Sequence, residues 1–247
     1  MINSGKAVPG QNNTYLPHKG VLSPAEKVLY ISESNGSGPF DGTLGAVWKY
    51  NVTSGVWTDI TPVSGSSLTF GFGGLAVDLQ RPGTIMVAAL NSWYPDGQIF
   101  RSNDSGATWS PLWSYITYPD IDKWYTYSDT LAPWIGPNYK VTTLGYLQVG
   151  WMMEGNIFQG RTAADDLLRC HTGLNIDPFD SDHWLYGTGM TIYGGYDLSK
   201  WDTIHNVTIE SLADGVEETA VLGLISPPTG VHLLSGVGDI QGSILYN

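Results

Sequence analysis

Short apolar runs bounded by polar turns follow one another along most of the chain, and two of these arrangements recur without a gap. Leu75-Ala76-Val77-Asp78, then five residues, then Thr84-Ile85-Met86-Val87 lines up on Leu174-Asn175-Ile176-Asp177 followed by His183-Trp184-Leu185-Tyr186. Leu22-Ser23-Pro24 with Val28-Leu29-Tyr30-Ile31-Ser32 lines up in the same way on Ile225-Ser226-Pro227 with Val231-His232-Leu233-Leu234-Ser235. Each copy has the length and the turn chemistry of strand, polar turn, strand. The copies begin at Ser23, Asp78, Asp177 and Ser226, so their spacings are 55, 99 and 49 residues. After each of the first three comes an aromatic strand leading to a tryptophan-bearing turn: Trp48 to Trp57, Phe100 to Trp109 and Tyr193 to Trp201.

Two of those spacings lie near the roughly 50 residues of a propeller blade. The middle turn, Ser102-Asn103-Asp104-Ser105-Gly106-Ala107-Thr108-Trp109, fits the turn known as an Asp-box, which occurs mainly in β-propellers. Within it Asp104 bonds backbone amides of its own turn, Gly106 permits positive φ, and Trp109 packs the corner down. Its aspartate therefore reads as structural. An ordinary β-sandwich is the competing fold, but sandwiches rarely repeat a strand pair and a turn in fixed order. The expected architecture is all-β: about four blades of a seven-bladed propeller with its ring incomplete, and hence part of a larger protein.

Composition excludes several classes of function. A net charge of −12 with only four arginines offers no surface for phosphate backbones. The single cysteine, Cys170, rules out an internal disulfide and a zinc-ligand cluster. No metal or cofactor is expected. The start lacks the apolar run of a signal peptide, and no segment is long enough for a membrane span. Glycosylation sequons at Asn12, Asn35, Asn51, Asn103 and Asn206 nevertheless suit a secreted parent protein.

Several further segments resemble the xyloglucanase family of glycoside hydrolases. They are Leu16 to Pro24, Gly42 to Tyr50, Phe72 to Asp78, Asn91-Ser92-Trp93 with Asp96 to Ser102, Gly150-Trp151-Met152-Met153-Glu154, and Glu217 to Leu222. They occur in family order and at roughly family spacing. The resemblance implies an enzyme of two seven-bladed propellers with a cleft between them for the β-1,4-glucan backbone of xyloglucan, hydrolysed with inversion. Inversion uses one carboxylic acid and one carboxylate roughly 6.5–9.5 Å apart. Gly238-Asp239-Ile240 resembles the start of the family's Gly-Asp-Ile-Gly-Gly-Phe motif, which implies Asp239 as general acid. A solvated turn aspartate is the bland alternative. The Thr-Asp-Ile-Gly-Gly motif that carries the family's general base does not occur in this chain. Asp41-Gly42, Asp96-Gly97 and Asp214-Gly215 are turn signals and poor substitutes.

Flat apolar sugar faces call for exposed aromatic rings. Trp93-Tyr94 resembles the family's cleft pair, and Trp151 falls in another matching segment. The connector bearing Trp113, Tyr118, Trp124, Tyr125, Tyr127 and Trp134 is unusually aromatic. The sugar-contacting candidates are thus Trp93, Tyr94, Trp124, Trp134 and Trp151, with a packing cluster beneath a long loop as the alternative for each. Glu154, Glu217 and Glu218 are either cleft-facing or solvated.

Two stretches depart from the family pattern: residues 155–173, which hold Cys170 and two of the four arginines, and the tail 241–247. They read as translated non-coding sequence or gene-model errors, with a genuine loop insertion carrying a short helix from Ala163 to Arg169 as the rival for the first. Residues 1–234 are accordingly expected to form partial blades, with 235–247 beginning the acid-bearing segment. The functional expectation is a fragment of a monomeric, secreted xyloglucan hydrolase, inactive by itself and without nucleic-acid or membrane partners. The alternatives are a non-catalytic propeller that binds glycans or proteins, and a sialidase. The latter is disfavoured because only Arg81 and Arg101 remain outside the anomalous stretch to form its arginine cluster.

Overall fold

The computed structural model describes residues 15–36, 42–90, 92, 97–118, 120–127, 173–187, 192–212, 221–225, 227, 229, 233–237 and 243–245. The chain divides into two compact units, residues 1–212 and 213–247. Among the described residues no helix is long and apolar enough to cross a membrane.

In the first unit, the strands of the first sheet follow one another in chain order: β1 (Leu16–Ser23), β2 (Val28–Ser34), β3 (Gly45–Asn51) and β4 (Trp57–Asp59). The second repeats that order with β5 (Gly71–Val77), β6 (Ile85–Leu90), β7 (Ile99–Ser102) and β8 (Ser110–Pro111). A two-stranded hairpin, β9 (Trp113–Thr117) and β10 (Asp120–Lys123), follows. The third sheet comprises β12 (Gly173–Asp177), β13 (Asp180–Gly187), β14 (Ile192–Gly195) and β15 (Val207–Ser211). β11 (Tyr125–Tyr127) adds to it outside β15 as a parallel fifth strand.

The second unit holds β16 (Val221–Ile225), β17 (Leu233–Val237) and β18 (Ser243–Leu245), again in chain order and antiparallel. All four sequence copies are therefore first-to-second strand pairs, with Leu22 opposite Leu29, Val77 opposite Ile85, Ile176 opposite Trp184 and Ile225 opposite Leu234. This is the blade organisation of a β-propeller.

The second sheet is buried on both faces, which explains the unbroken apolar run of β6. Leu75, Val77, Ile85, Val87, Ala89 and Phe100 pack with Val28, Tyr30 and Val47 of the first sheet. Met86, Ala88, Leu90 and Ile99 on the opposite face are equally buried. Each large apolar side chain so placed contributes on the order of 1.5–3 kcal/mol.

Polar bonds stitch the seams. Ser32 donates to the carbonyl of Gly73, Ser181 donates to Asp78 at 2.9 Å, and Lys19 on β1 reaches the carbonyl of Leu174 on β12 at 2.8 Å. The repeated tryptophans do the same work twice over. The Trp109 indole donates to the carbonyl of Ile60, just past the last strand of the preceding sheet, and the Trp201 indole donates to Ser110 in the last strand of its own preceding sheet. The third turn is a single helical turn, Lys200–Thr203, rather than a copy of the Ser102–Trp109 corner. Asp202 in that turn accepts two bonds from the fully buried Arg101, at 2.9 and 2.8 Å, and a third from Asn103.

Candidate functional site

The Ser102–Trp109 turn closes its own chemistry. Asp104 accepts the Thr108 amide at 2.8 Å, the Thr108 hydroxyl at 2.6 Å and the Ser102 hydroxyl at 2.8 Å, while the Gly106 amide donates to Ser102. Bonds from the Thr108 hydroxyl and amide hold the Asp104 carboxyl at about 2, well below the usual carboxylate range. A group so committed is a poor proton donor near neutral pH. Gly106 has φ +82°, and a Cβ there would lie 2.6 Å from the Ile60 side chain. The turn is a corner, as its sequence indicates.

The strands of the second sheet fix where the connection bearing Trp93 and Tyr94 begins and ends. The β5–β6 turn lies beside this corner, since the Ser105 amide donates to the carbonyl of Gly83. β6 runs away from it to Leu90, and β7 returns from Ile99. The connection carrying Trp93 and Tyr94 therefore leaves from the far end. Trp113 is fixed there: its indole donates to the Gly97 carbonyl at 3.0 Å, and its carbonyl accepts from Gln98 at 3.0 Å. In the second unit, Asp239 lies in the connection from β17 to β18, the second-to-third-strand connection of its sheet. That is the rank Trp93-Tyr94 holds in the second sheet. Trp93, Tyr94, Trp134, Trp151, Glu154, Glu217, Glu218 and Asp239 themselves lie outside the described residues, as do the stretch 155–172 and the segment from Ala163 to Arg169.

Trp124 is the one sugar-contacting candidate that is described. It is half-buried at the seam of the second and third sheets, where its amide donates to Leu112 and its carbonyl accepts from Val207. Its ring packs on His205 with centroids 4.4 Å apart.

Two constellations were not singled out by sequence. Glu33 on β2 is buried, on the face opposite the one through which Tyr30 and Val28 meet the second sheet. Burial, reinforced by the nearby Asp59 carboxylate and only partly countered by the Trp48 indole, pushes its carboxyl up to about 7. A glutamate inside the apolar alternation of Val28–Ser34 was the signal available. Near the β12–β13 turn, His183 Nδ1 lies 3.0 Å from Asp177 and its ring stacks on Tyr196 at 4.5 Å. The adjoining shallow depression of about 340 Å³ is lined by Ile176, Pro178, Phe179 and Leu185 among others. Asn175, Asp177 and His183 complete its lining, and His183 is already engaged with Asp177. Among the described residues no group of three or more His, Cys, Asp or Glu side chains is placed to hold a metal ion.

No family model matches the chain. It is 54% identical over 242 residues to a xyloglucanase of Hypocrea jecorina, covering 96% of this chain and 27% of that protein. The match is to a part of that xyloglucanase, not to its whole length. A xyloglucanase of a Paenibacillus species is 48% identical, covering 96% of this chain and 21% of that protein. The crystal structure of the family 74 xyloglucanase of Xanthomonas campestris superposes with a TM-score of 0.60 at 26% identity, over 96% of this chain and 29% of that one. The chain thus spans roughly a quarter of the length of the curated relatives it matches.

Proposed function

We propose that the protein carrying this segment hydrolyses the β-1,4-glucan backbone of xyloglucan with inversion of configuration, and that Asp239 is its general acid. The observation that carries this reading is the 54% identity to a xyloglucanase along nearly the whole chain. In chain order Asp239 falls between β17 and β18, as Trp93-Tyr94 falls between β6 and β7. In the proposed step the Asp239 carboxylic acid protonates the leaving glycosidic oxygen as the bond to the anomeric carbon breaks. A second carboxylate takes a proton from water attacking the opposite face. That base is not assigned to any residue of this chain.

Trp93, Tyr94, Trp124, Trp134 and Trp151 are the proposed sugar contacts. The Ser102–Trp109 corner is proposed as an Asp-box, and secretion of the parent protein is proposed from the sequons. The chain by itself is expected to be inactive, because one carboxyl cannot both donate the proton and activate water from the other face. The test is release of reducing ends from xyloglucan, by this chain and by an intact enzyme that carries it. Turnover only by the intact enzyme, lost on Asp239→Asn, supports the assignment. Turnover by the isolated chain, or an active Asp239→Asn enzyme, refutes it.

A further inference from the structure

Two of the five sequons hold the same rank in related corners: Asn51 lies six residues before Trp57, and Asn103 six residues before Trp109. The fold uses their side-chain amides differently. Asn51 Oδ1 accepts the backbone amides of Thr53 at 3.0 Å and Ser54 at 2.8 Å. Two N–H donors can be met only by the oxygen, which fixes the orientation of the side chain and turns Nδ2 away from them. Among the described residues Asn51 Nδ2 meets no hydrogen-bond acceptor. Asn103 is engaged through both atoms. Its Nδ2 donates to Asp202 at 2.7 Å, beside the bonds from Arg101, and its Oδ1 accepts from the Thr84 hydroxyl at 3.3 Å. Ser105, the hydroxyl residue of that sequon, donates to Glu26.

The rest of the first corner suits a large hydrophilic attachment. The Asn51 backbone amide donates to Val56 and the Gly55 amide to Asn51, while the Val52 amide ties the tip to Lys27 in the β1–β2 turn. None of these bonds uses Nδ2. Thr53 and Ser54 are exposed. Val52 and Val56 beside them are 53% and 55% exposed, an apolar pair that a glycan on Asn51 would cover.

We propose that Asn51 carries an N-linked glycan and that Asn103, despite its sequon, does not. The proposal rests on the secretion read from the sequons, and it assigns the modification to one atom. Nδ2 attacks the anomeric carbon of an oligosaccharide carried on a lipid diphosphate, under the transferase of the secretory pathway. The N–C bond forms as the bond from that carbon to the diphosphate oxygen breaks; the diphosphate leaves with the electron pair, and the nitrogen gives up one proton. The product amide keeps its carbonyl, so the bonds from Thr53 and Ser54 survive. Transfer precedes folding, and the fold then selects among modified chains. One substituted at Asn51 packs with every bond of its corner intact, whereas one substituted at Asn103 carries a sugar on the nitrogen that bonds Asp202 in the seam of the second and third sheets.

The test is expression of the full chain behind the leader of a yeast host, then enzymatic removal of N-glycans in heavy-oxygen water. Each asparagine that carried a glycan becomes a heavy-oxygen aspartate, read by peptide mass spectrometry. Occupancy is measured in the protease-resistant chain from medium and cells alike, so a poorly exported chain still gives a result. Asn51 should be labelled in most of that chain and Asn103 should not. Thr53→Ala keeps Asn51 and both turn amides but removes the sequon hydroxyl; it should lose the Asn51 label and one glycan in electrophoretic mobility, with unchanged circular dichroism. Unlabelled Asn51 beside a labelled host glycoprotein overturns the proposal. So does a Thr53→Ala chain that keeps its glycan at Asn51, or a folded chain labelled at Asn103. Because the host's leader supplies entry, labelling reads the Asn51 site itself. Failure of the secretion reading shows separately, as the parent protein retained inside the cells of its source.

Discussion

Glu33→Gln should reduce the pH dependence of the chain's stability in a window where burial of Glu33 makes the wild type lose stability as pH rises. The folded state holds the Glu33 proton up to about 7, whereas a glutamate in the unfolded chain releases it near the ordinary value of 4.5. Between those values the folded state binds more protons than the unfolded chain, so stability falls as pH rises through the window. Glu33 is only 3% exposed, so water screens little of this penalty. Each pH unit that separates the two values corresponds to about 1.4 kcal/mol, which puts the upper bound of the effect at roughly 3.5 kcal/mol above the window. Glutamine keeps the shape and removes the charge. Urea denaturation followed by tryptophan fluorescence at pH 5 and pH 8 reads the effect directly. The wild type should be less stable at pH 8 by up to that amount, and the variant should show the smaller slope left by all other groups. Equal slopes for the two proteins would refute the placement of a proton-holding carboxyl at this position.

Other substitutions probe the corner and the seams. Asp104, held at about 2, supports the fold above the ordinary carboxylate range and loses that support as pH falls toward 2, so Asp104→Asn should flatten the acid limb of the stability profile measured by circular dichroism. Gly106→Ala forces a side chain into positive φ and against Ile60, and together these should cost about 2–4 kcal/mol in denaturation experiments. Asp202→Ala leaves the Arg101 guanidinium buried without its carboxylate, and a loss of about 3–5 kcal/mol is expected from the same measurement.

The sequence made the corner legible because its bonds are local: Ser102, Asp104, Gly106 and Thr108 meet within one turn. The four strand pairs were legible for the same reason, since each joins neighbouring apolar runs. What joins the sheets was not. Arg101 and Asp202 lie 101 residues apart, and Lys19 and Leu174 lie 155 apart, so no local pattern announces either bond. The aromatic stretch from Trp113 onward was readable as aromatic but not as a hairpin, because exposed Tyr115, Ile116 and Tyr118 break the alternation expected of a half-buried strand. β11 joins β15 from more than 70 residues upstream, and its three residues carry no periodic signal at all. Asp239 was singled out by resemblance alone and lies outside the described residues.

Asp239 as the group that protonates the leaving oxygen in an inverting hydrolysis of xyloglucan can be tested in a single experiment. NMR follows the anomeric protons of the products during the first minutes of hydrolysis by an intact enzyme carrying this segment, with and without Asp239→Asn. The α-anomer should appear first from the β-linked substrate, and the variant should release none. Initial release of the β-anomer, or undiminished turnover by the variant, would contradict the assignment.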